Sequence, residues 1–258
     1  MDIKNWAASI GFYDKPEVKK RRVMTMGPAG GGKTTFAATF PKPFFIDTDR
    51  GGQSLEDLHI PFISLERGER GQFEVILDIL RKLRDKAAPF DKIEVETLVI
   101  DSFTALAESL MVATMLYPAG GMGLTPKDPN KGKPEWDHYA AVGNMLKTIV
   151  GMTKDLPLNV VLICGEKLEK DDVTGGYVGE PNVVGGYRHV ITHDVDYVFY
   201  QRVEGRGDKR TYMLHTIPVG YFNMKMRQAK TAPLAPKYEN PSFNSIWGGA
   251  TTKEPTNG

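Results

Sequence analysis

Apolar positions recur along this chain in two periods that take turns. Short apolar runs predict β-strands at Val23–Met26, Phe44–Asp47, Pro61–Leu65, Leu98–Asp101 and Val160–Cys164. Between them the spacing is helical. Phe73, Ile76, Leu77, Leu80 and Leu83 fall on one stripe, and Leu106, Leu110 and Val112 to Met115 on another, the i, i+3, i+4 recurrence of helices that pack one face on a sheet. A third helix, roughly Glu135 to Thr153, is expected to gather Trp136, Tyr139, Ala140, Gly143, Leu146 and Val150 on one face. Strand and helix alternating in this way imply an α/β fold, a mainly parallel twisted sheet flanked by helices.

From Asp194 onward the pattern changes. Val195–Tyr200, Arg210–His215 and Tyr221–Met224 follow one another across Gly- or Pro-containing turns such as Glu204–Asp208, which predicts C-terminal antiparallel strands extending one edge of the sheet. The organisation expected is a short N-terminal segment over 1–20, a core over 21–230 and a tail over 231–258. The tail is rich in Pro, Thr, Asn and Gly, and is expected to pack loosely and end in disorder.

Composition narrows the function classes. The chain has 258 residues, 41% hydrophobic and 25% charged, enough for one large α/β domain. Lys+Arg 33 against Asp+Glu 32 leaves a net charge of +1, so no global field draws it to nucleic acid or to a membrane, and any DNA contact must come from local loops. Cys164 is the sole cysteine; no intramolecular disulfide is available, as suits a reducing compartment. No apolar stretch has transmembrane length and the N-terminus lacks a signal-peptide core, so the expected location is cytoplasmic.

The chemistry is densest at Gly27-Pro-Ala-Gly-Gly-Gly-Lys33-Thr34, which satisfies G-x-x-x-x-G-K-[ST] between a strand and the helix-like Thr35–Thr39. In that setting the loop Gly27, Pro28, Ala29, Gly30, Gly31 and Gly32 wraps the phosphates of ATP, its glycines letting successive backbone N–H groups turn inward, with Thr35 just beyond. Lys33 is placed for the β and γ oxygens and the Thr34 hydroxyl for Mg²⁺. The bland alternative is a glycine-rich turn that happens to end in Lys-Thr. Leu98-Val-Ile-Asp101 is an apolar run ending in an acid, the way a strand delivers a second carboxylate to the metal side. The alternative for Asp101 and Ser102 is a cap on the helix that follows. Phe45-Ile-Asp47-Thr-Asp49 places further acids beside the phosphate-loop strand, at the carboxyl edge where ligands of parallel sheets sit.

At these residues the chain resembles a RecA-type P-loop ATPase. Ile100-Asp-Ser-Phe-Thr-Ala-Leu106 matches that family's Ile-Asp-Ser-x-x-Ala-Leu segment, and Ile46-Asp-Thr-Asp49 stands where the family has Ile-Asp-x-Glu. The resemblance implies Asp101 as the metal-side acid and Asp49 as the water-activating base, with a turn-forming aspartate as its alternative. It also puts Glu166 at the γ-phosphate sensor position after the Val160–Cys164 strand, with Lys167 as a second candidate. Two long segments, Tyr117–Pro134 and Leu168–Gly186, fall where the family's DNA-binding loops fall. There Lys127, Lys131 and Lys133 are expected to meet phosphates and Tyr177 and Tyr187 to stack on bases, against the alternative of solvated surface loops. Lys225 and Arg227 stand where RecA-superfamily rings place residues that reach a neighbour's γ-phosphate, which implies a homo-oligomer with composite ATP sites; a charge-protected edge strand is the alternative.

The chain is similar to compact bacteriophage RecA-core, single-strand-annealing recombinase ATPases. It implies DNA-stimulated ATP hydrolysis on single-stranded DNA in phage recombination, in the host cytoplasm, with a single-stranded-DNA-binding protein as a possible partner. A RecA-superfamily ring motor (helicase or packaging-type translocase) and a small-molecule kinase remain as other assignments. His189 and His193 have i, i+4 spacing but no intervening glutamate and no nearby cysteine, and are not expected to hold a metal.

Overall fold

A computed structural model describes residues 20–118, 126–170, 175–227 and 233–248. Its frame is a nine-stranded sheet. The strands are β1 (Arg22–Met26), β2 (Pro43–Asp47), β3 (Phe62–Ser64), β4 (Thr97–Asp101), β5 (Asn159–Cys164), β8 (Tyr197–Glu204), β9 (Thr211–His215), β10 (Lys225–Met226) and β11 (Lys237–Glu239). The order is β11-β9-β8-β1-β5-β4-β2-β3, with β10 pairing on β8. The run from β8 to β3 is parallel throughout, whereas β9, β10 and β11 are antiparallel to their partners. This is an α/β fold, a mainly parallel sheet flanked by helices with antiparallel strands extending one edge. A separate antiparallel hairpin pairs β6 (Glu166–Lys170) with β7 (Tyr177–Pro181).

Alternation along the central strands buries the sheet on both faces. Leu98, Ile100, Val160 and Leu162 point into one core with Ile76, Leu80, Leu106, Leu110, Leu146 and Ile149. Those partners come from α3 (Gln72–Asp85), α4 (Phe103–Leu116) and α5 (Trp136–Thr153). Val99, Val161 and Ile163 point the other way, against Phe36 of α1 (Lys33–Ala38) and Ile246 and Trp247 of α7 (Phe243–Trp247). A period of two filling two cores is the mark of a central strand with both faces covered. Two short helices, α2 (Gln53–Glu56) and α6 (Ile191–Asp194), complete the set.

Five expectations need correction. Val195–Tyr200 does not begin an antiparallel edge, because β8 lies parallel to β1 with Val23 opposite Tyr197. Asp196 fixes this register by accepting from the Arg22 backbone N–H and from Arg22 Nε (3.0 Å) and Nη2 (3.2 Å). Tyr221–Met224 is not a strand: Tyr221 and Phe222 belong to a tight turn, Val219–Phe222, closed by bridges from Phe222 to Val219 and Gly179, and the strand follows at Lys225–Met226. Leu168–Gly186 contains the β6–β7 hairpin, whose cross-strand ladder satisfies backbone groups that a bare loop would leave to water.

The face of α5 is also rotated. His138, Val142, Leu146, Ile149 and Thr153 are buried, while Trp136 is 83% exposed. The His138 side chain accepts the Glu135 N–H (3.1 Å) in a capping box, which fixes the first turn with His138, and not Trp136, facing inward.

Residues 233–248 are packed rather than loose. β11 adds a strand to β9, and Trp247 sits edge-on to Phe40 (5.6 Å) and Tyr197 (5.5 Å) with the Arg21 guanidinium 4.9 Å above its ring. Burying an aromatic of this size outweighs a composition that reads as a tail. Residues 249–258 lie outside the described residues.

Candidate nucleotide site

The phosphate loop leaves β1 at Met26 and re-enters regular structure at Lys33. Its glycines answer to space as well as conformation. Gly27 has φ +149°, and a Cβ there would stand 1.9 Å from the Gln201 carbonyl oxygen on β8. Gly32 has φ +86°, and its Cβ would meet the Tyr212 ring at 2.6 Å. No side chain caps α1 at Gly32, so the N–H groups that open the helix are not taken up by a side chain. Lys33 Nζ donates to Gly27 O (2.8 Å) and Pro28 O (2.7 Å), which draws the ammonium across the mouth of the loop. Burial lowers its pKa, opposed by the charges of Asp101, Glu166 and Asp49.

Asp101 ends β4 opposite the loop. The Thr34 hydroxyl donates to its Oδ2 at 2.6 Å. Burial pushes the Asp101 carboxyl up to about 6; the Thr34 hydrogen bond opposes this, and the neighbouring charges of Asp49 and Asp47 reinforce it. The cap assigned as an alternative belongs to Ser102, whose Oγ accepts the Ala105 N–H (3.1 Å); Asp101 is left to the site.

The two acids at the end of β2 have separate tasks. Asp47 is 2% exposed and holds the turn, accepting from the Gly51 N–H, the Gly52 N–H (3.1 Å) and the Ser64 hydroxyl (2.8 Å). Asp49 accepts the Gly51 N–H at 3.1 Å, so it also shapes the turn. It lines the nucleotide cavity as well, together with Asp101, the phosphate loop, Thr104 and Tyr212. Burial raises its pKa, and Asp47 adds to the rise. The cavity is ≈ 470 Å³.

Hydroxyl, two carboxylates and an ammonium around one cavity are the donors a nucleotide with a divalent cation needs. Thr34 and Asp101 fit Mg²⁺: both are oxygen donors, already in contact, and among the described residues Asp101 is ion-paired to no cation.

Other nominated residues are spread more widely. Glu166 follows β5 as expected, and its Oε2 accepts the Tyr200 hydroxyl (2.8 Å). It acts on Lys33 through charge without being among the residues that line the cavity. Lys167 pairs with Glu169 and points to the opposite face of the hairpin. Lys225 Nζ donates to Thr192 O (2.9 Å) and His193 O (3.1 Å), and Arg227 Nη1 meets Asp196 Oδ1 (3.2 Å) with its side chain 63% exposed. Neither is brought to the cavity of its own chain.

Of the expected DNA residues, Tyr187 is buried, with its hydroxyl donating to Asp194 (2.9 Å); it has no face for a base. Tyr177 is exposed. Lys127 pairs with Glu135 and Lys131 with Asp128, whereas Lys133 makes no ion pair among the described residues. His189, Glu169 and Glu180 converge, but Arg188 already bridges both carboxylates (3.1 and 2.6 Å), so the place of a cation is taken. Residues 119–125 and 171–174 of the two expected loops lie outside the described residues. Tyr212 and Gln201 reach the site from β9 and β8, and no local motif marks either one.

A family model described as an AAA domain matches residues 19–221. Among solved structures, a KaiC-like protein from the hyperthermophilic archaeon Pyrococcus horikoshii is similar at 14% identity and a TM-score of 0.47, over 85% of this chain and 84% of that one. No curated protein matches the chain. The family match takes in the phosphate loop, Asp49 and Asp101 together, and the chain belongs to this AAA-domain family, as a P-loop ATPase.

Proposed function

We propose that the protein hydrolyses ATP with Mg²⁺ at this site and that turnover serves the handling of single-stranded DNA, in recombination or annealing of the kind carried out by bacteriophage RecA-core proteins. The observation that carries the catalytic half is the 2.6 Å contact between Thr34 and Asp101, in one cavity with Lys33 and Asp49. Lys33 is within reach of the triphosphate once it exchanges its loop carbonyls for phosphate oxygens, a charge-assisted hydrogen bond stronger than the neutral one it replaces. Thr34 and Asp101 are the residues that would hold Mg²⁺, which would supply neutralisation of the phosphate charge. Asp49, raised in pKa and facing the cavity, is the base that orients and deprotonates the attacking water. Glu166 acts on Lys33 at longer range.

The DNA half rests on the exposed tyrosine of the β6–β7 hairpin and on the resemblance of the Asp101 segment to recombinases. Arg227, exposed beyond its single carboxylate partner, is the residue available to a neighbouring subunit's nucleotide in a homo-oligomer. A single-stranded-DNA-binding protein is the partner such handling calls for.

The test is hydrolysis by the purified protein with and without oligothymidylate, beside Lys33→Ala. Mg²⁺-dependent turnover that rises with DNA and falls by at least about 10²-fold in the variant is the expected result. Turnover indifferent to DNA would remove the second half of the proposal and leave the ATPase standing.

A further inference from the structure

The β6–β7 hairpin has two unlike faces. Directly opposed residues share a face, so Lys167, Glu169, Val178 and Glu180 lie on one side and Glu166, Leu168, Lys170, Tyr177, Gly179 and Pro181 on the other. The first is closed by ion pairs to Arg188. The second is left open at its outer end. There Tyr177 is 53% and Tyr221 55% exposed, with ring centroids 5.8 Å apart. Leu168 is exposed beside them, and Lys170 is the direct cross-strand partner of Tyr177, with no ion pair among the described residues.

Tyr221 is not a loose side chain. It sits in the turn closed by Val219 and Phe222, its carbonyl accepts the Gly179 N–H at 2.8 Å, and Gly220 supplies the φ of +56° that the turn requires. The neighbouring Phe222 ring lies flat on Gly179, where a Cβ would stand 2.4 Å from it, and stacks on Tyr200 at 4.5 Å and 22°. Two sequence segments therefore converge to hold two aromatic rings outward, Tyr221 in a turn backed by the buried Phe222 and Tyr177 on the ladder of the hairpin.

We propose that Tyr177 and Tyr221 form a base-stacking platform for single-stranded nucleic acid, with Lys170 meeting the backbone phosphate beside it. This rests on the single-stranded-DNA reading above and names the residues that read demands. Stacking on tyrosine requires a base whose face is free, so unpaired strands are taken and duplexes are not. Because Lys170 is, among the described residues, the one lysine on this face of the hairpin, the rings and not charge supply most of the affinity. Asp171 and Asp172, next in sequence to Lys170, lie outside the described residues.

The experiment is fluorescence anisotropy of labelled oligothymidylate titrated with wild type, Tyr177→Ala, Tyr221→Ala, Tyr221→Phe and Lys170→Ala, with a labelled duplex as control. Each tyrosine-to-alanine change is expected to weaken binding by about 5- to 150-fold, and Tyr221→Phe by no more than about twofold, since the ring is kept. Lys170→Ala is expected to lower the slope of log affinity against log salt by about 0.7, one phosphate's share for a single strand. Nucleotide binding should be unchanged in all four, because none of these residues lines the nucleotide cavity. Suppression of tetranitromethane nitration at Tyr177 and Tyr221 by oligothymidylate, read in the wild-type protein, gives the same answer without a variant. Tight binding unaffected by either alanine, or nitration indifferent to DNA, overturns the platform while the DNA reading survives. No binding of oligothymidylate by wild type overturns both. A change in oligomer size at unchanged DNA affinity assigns the rings to a subunit contact and overturns the platform.

Discussion

Lys33 and Lys225 make the same local bonds and serve different ends. Each ammonium donates to two backbone carbonyls, Gly27 and Pro28 in one case and Thr192 and His193 in the other. In each, burial lowers the pKa. What differs is the surrounding charge. Around Lys33, neither the ammonium nor Asp47, Asp49 or Asp101 forms an ion pair among the described residues, and Lys33, Asp49 and Asp101 line one cavity. Around Lys225 the charges are spent within the chain: Asp196 takes Arg22 and Arg227, Asp194 takes Lys154, and Glu180 takes Arg188. A site for a charged ligand shows itself by charges its own fold leaves uncompensated, since those are the ones a ligand can satisfy without first breaking a pair.

That contrast can be broken in order of effect. Asp101→Asn should reduce Mg²⁺-dependent turnover the most, by about 10³-fold or more, because it removes a metal-side carboxylate. The same change should stabilise the metal-free protein. A carboxyl whose folded pKa is raised contributes stability below its unfolded value and loses it as pH rises through about 6. Melting of wild type and Asp101→Asn without metal should therefore converge near pH 4 and separate by roughly 1–3 kcal/mol at pH 8, with the variant the more stable. A variant less stable at pH 8 would mean that the carboxylate is compensated after all.

Asp49→Asn should come next, lowering turnover about 10²- to 10⁴-fold with nucleotide binding retained. On the other side of the comparison, Asp196→Ala should cost about 1–3 kcal/mol of stability, because it strands two arginines and the β1–β8 register, while hydrolysis per folded monomer stays near wild type. Lys225→Ala should be smallest, within about 1 kcal/mol in stability and without effect on nucleotide affinity, as isothermal titration would read. A large loss of nucleotide affinity in Lys225→Ala would erase the distinction between the two lysines.

The sequence exposed the nucleotide end of the molecule better than the edge. The phosphate loop, Asp101 and Asp49 are legible because each lies at the end of a buried strand with its chemistry packed into adjacent residues. Tyr212 and Gln201 complete the same site from β9 and β8, and no pattern within a window of sequence ties them to Gly27 and Gly32. The direction of β8 was hidden for a similar reason: alternation is the same in parallel and antiparallel pairing, and the Arg22–Asp196 clamp that decides it spans 174 positions. On α5, Trp136 and Tyr139 mimic a core stripe, yet the helix turns them out because Val142, Leu146 and Ile149 fit the sheet better. The fate of Tyr187 was equally unreadable, since a tyrosine after two glycines looks available until Asp194 takes its hydroxyl.

The central claim is that ATP is hydrolysed where Lys33, Thr34, Asp49 and Asp101 converge. Single-turnover hydrolysis of γ-labelled ATP with Mg²⁺, by wild type and Asp49→Asn matched for bound nucleotide, tests it most directly. The expected result is release of phosphate by wild type and a loss of about 10²-fold or more in the variant at equal occupancy; equal rates in the two proteins would contradict it.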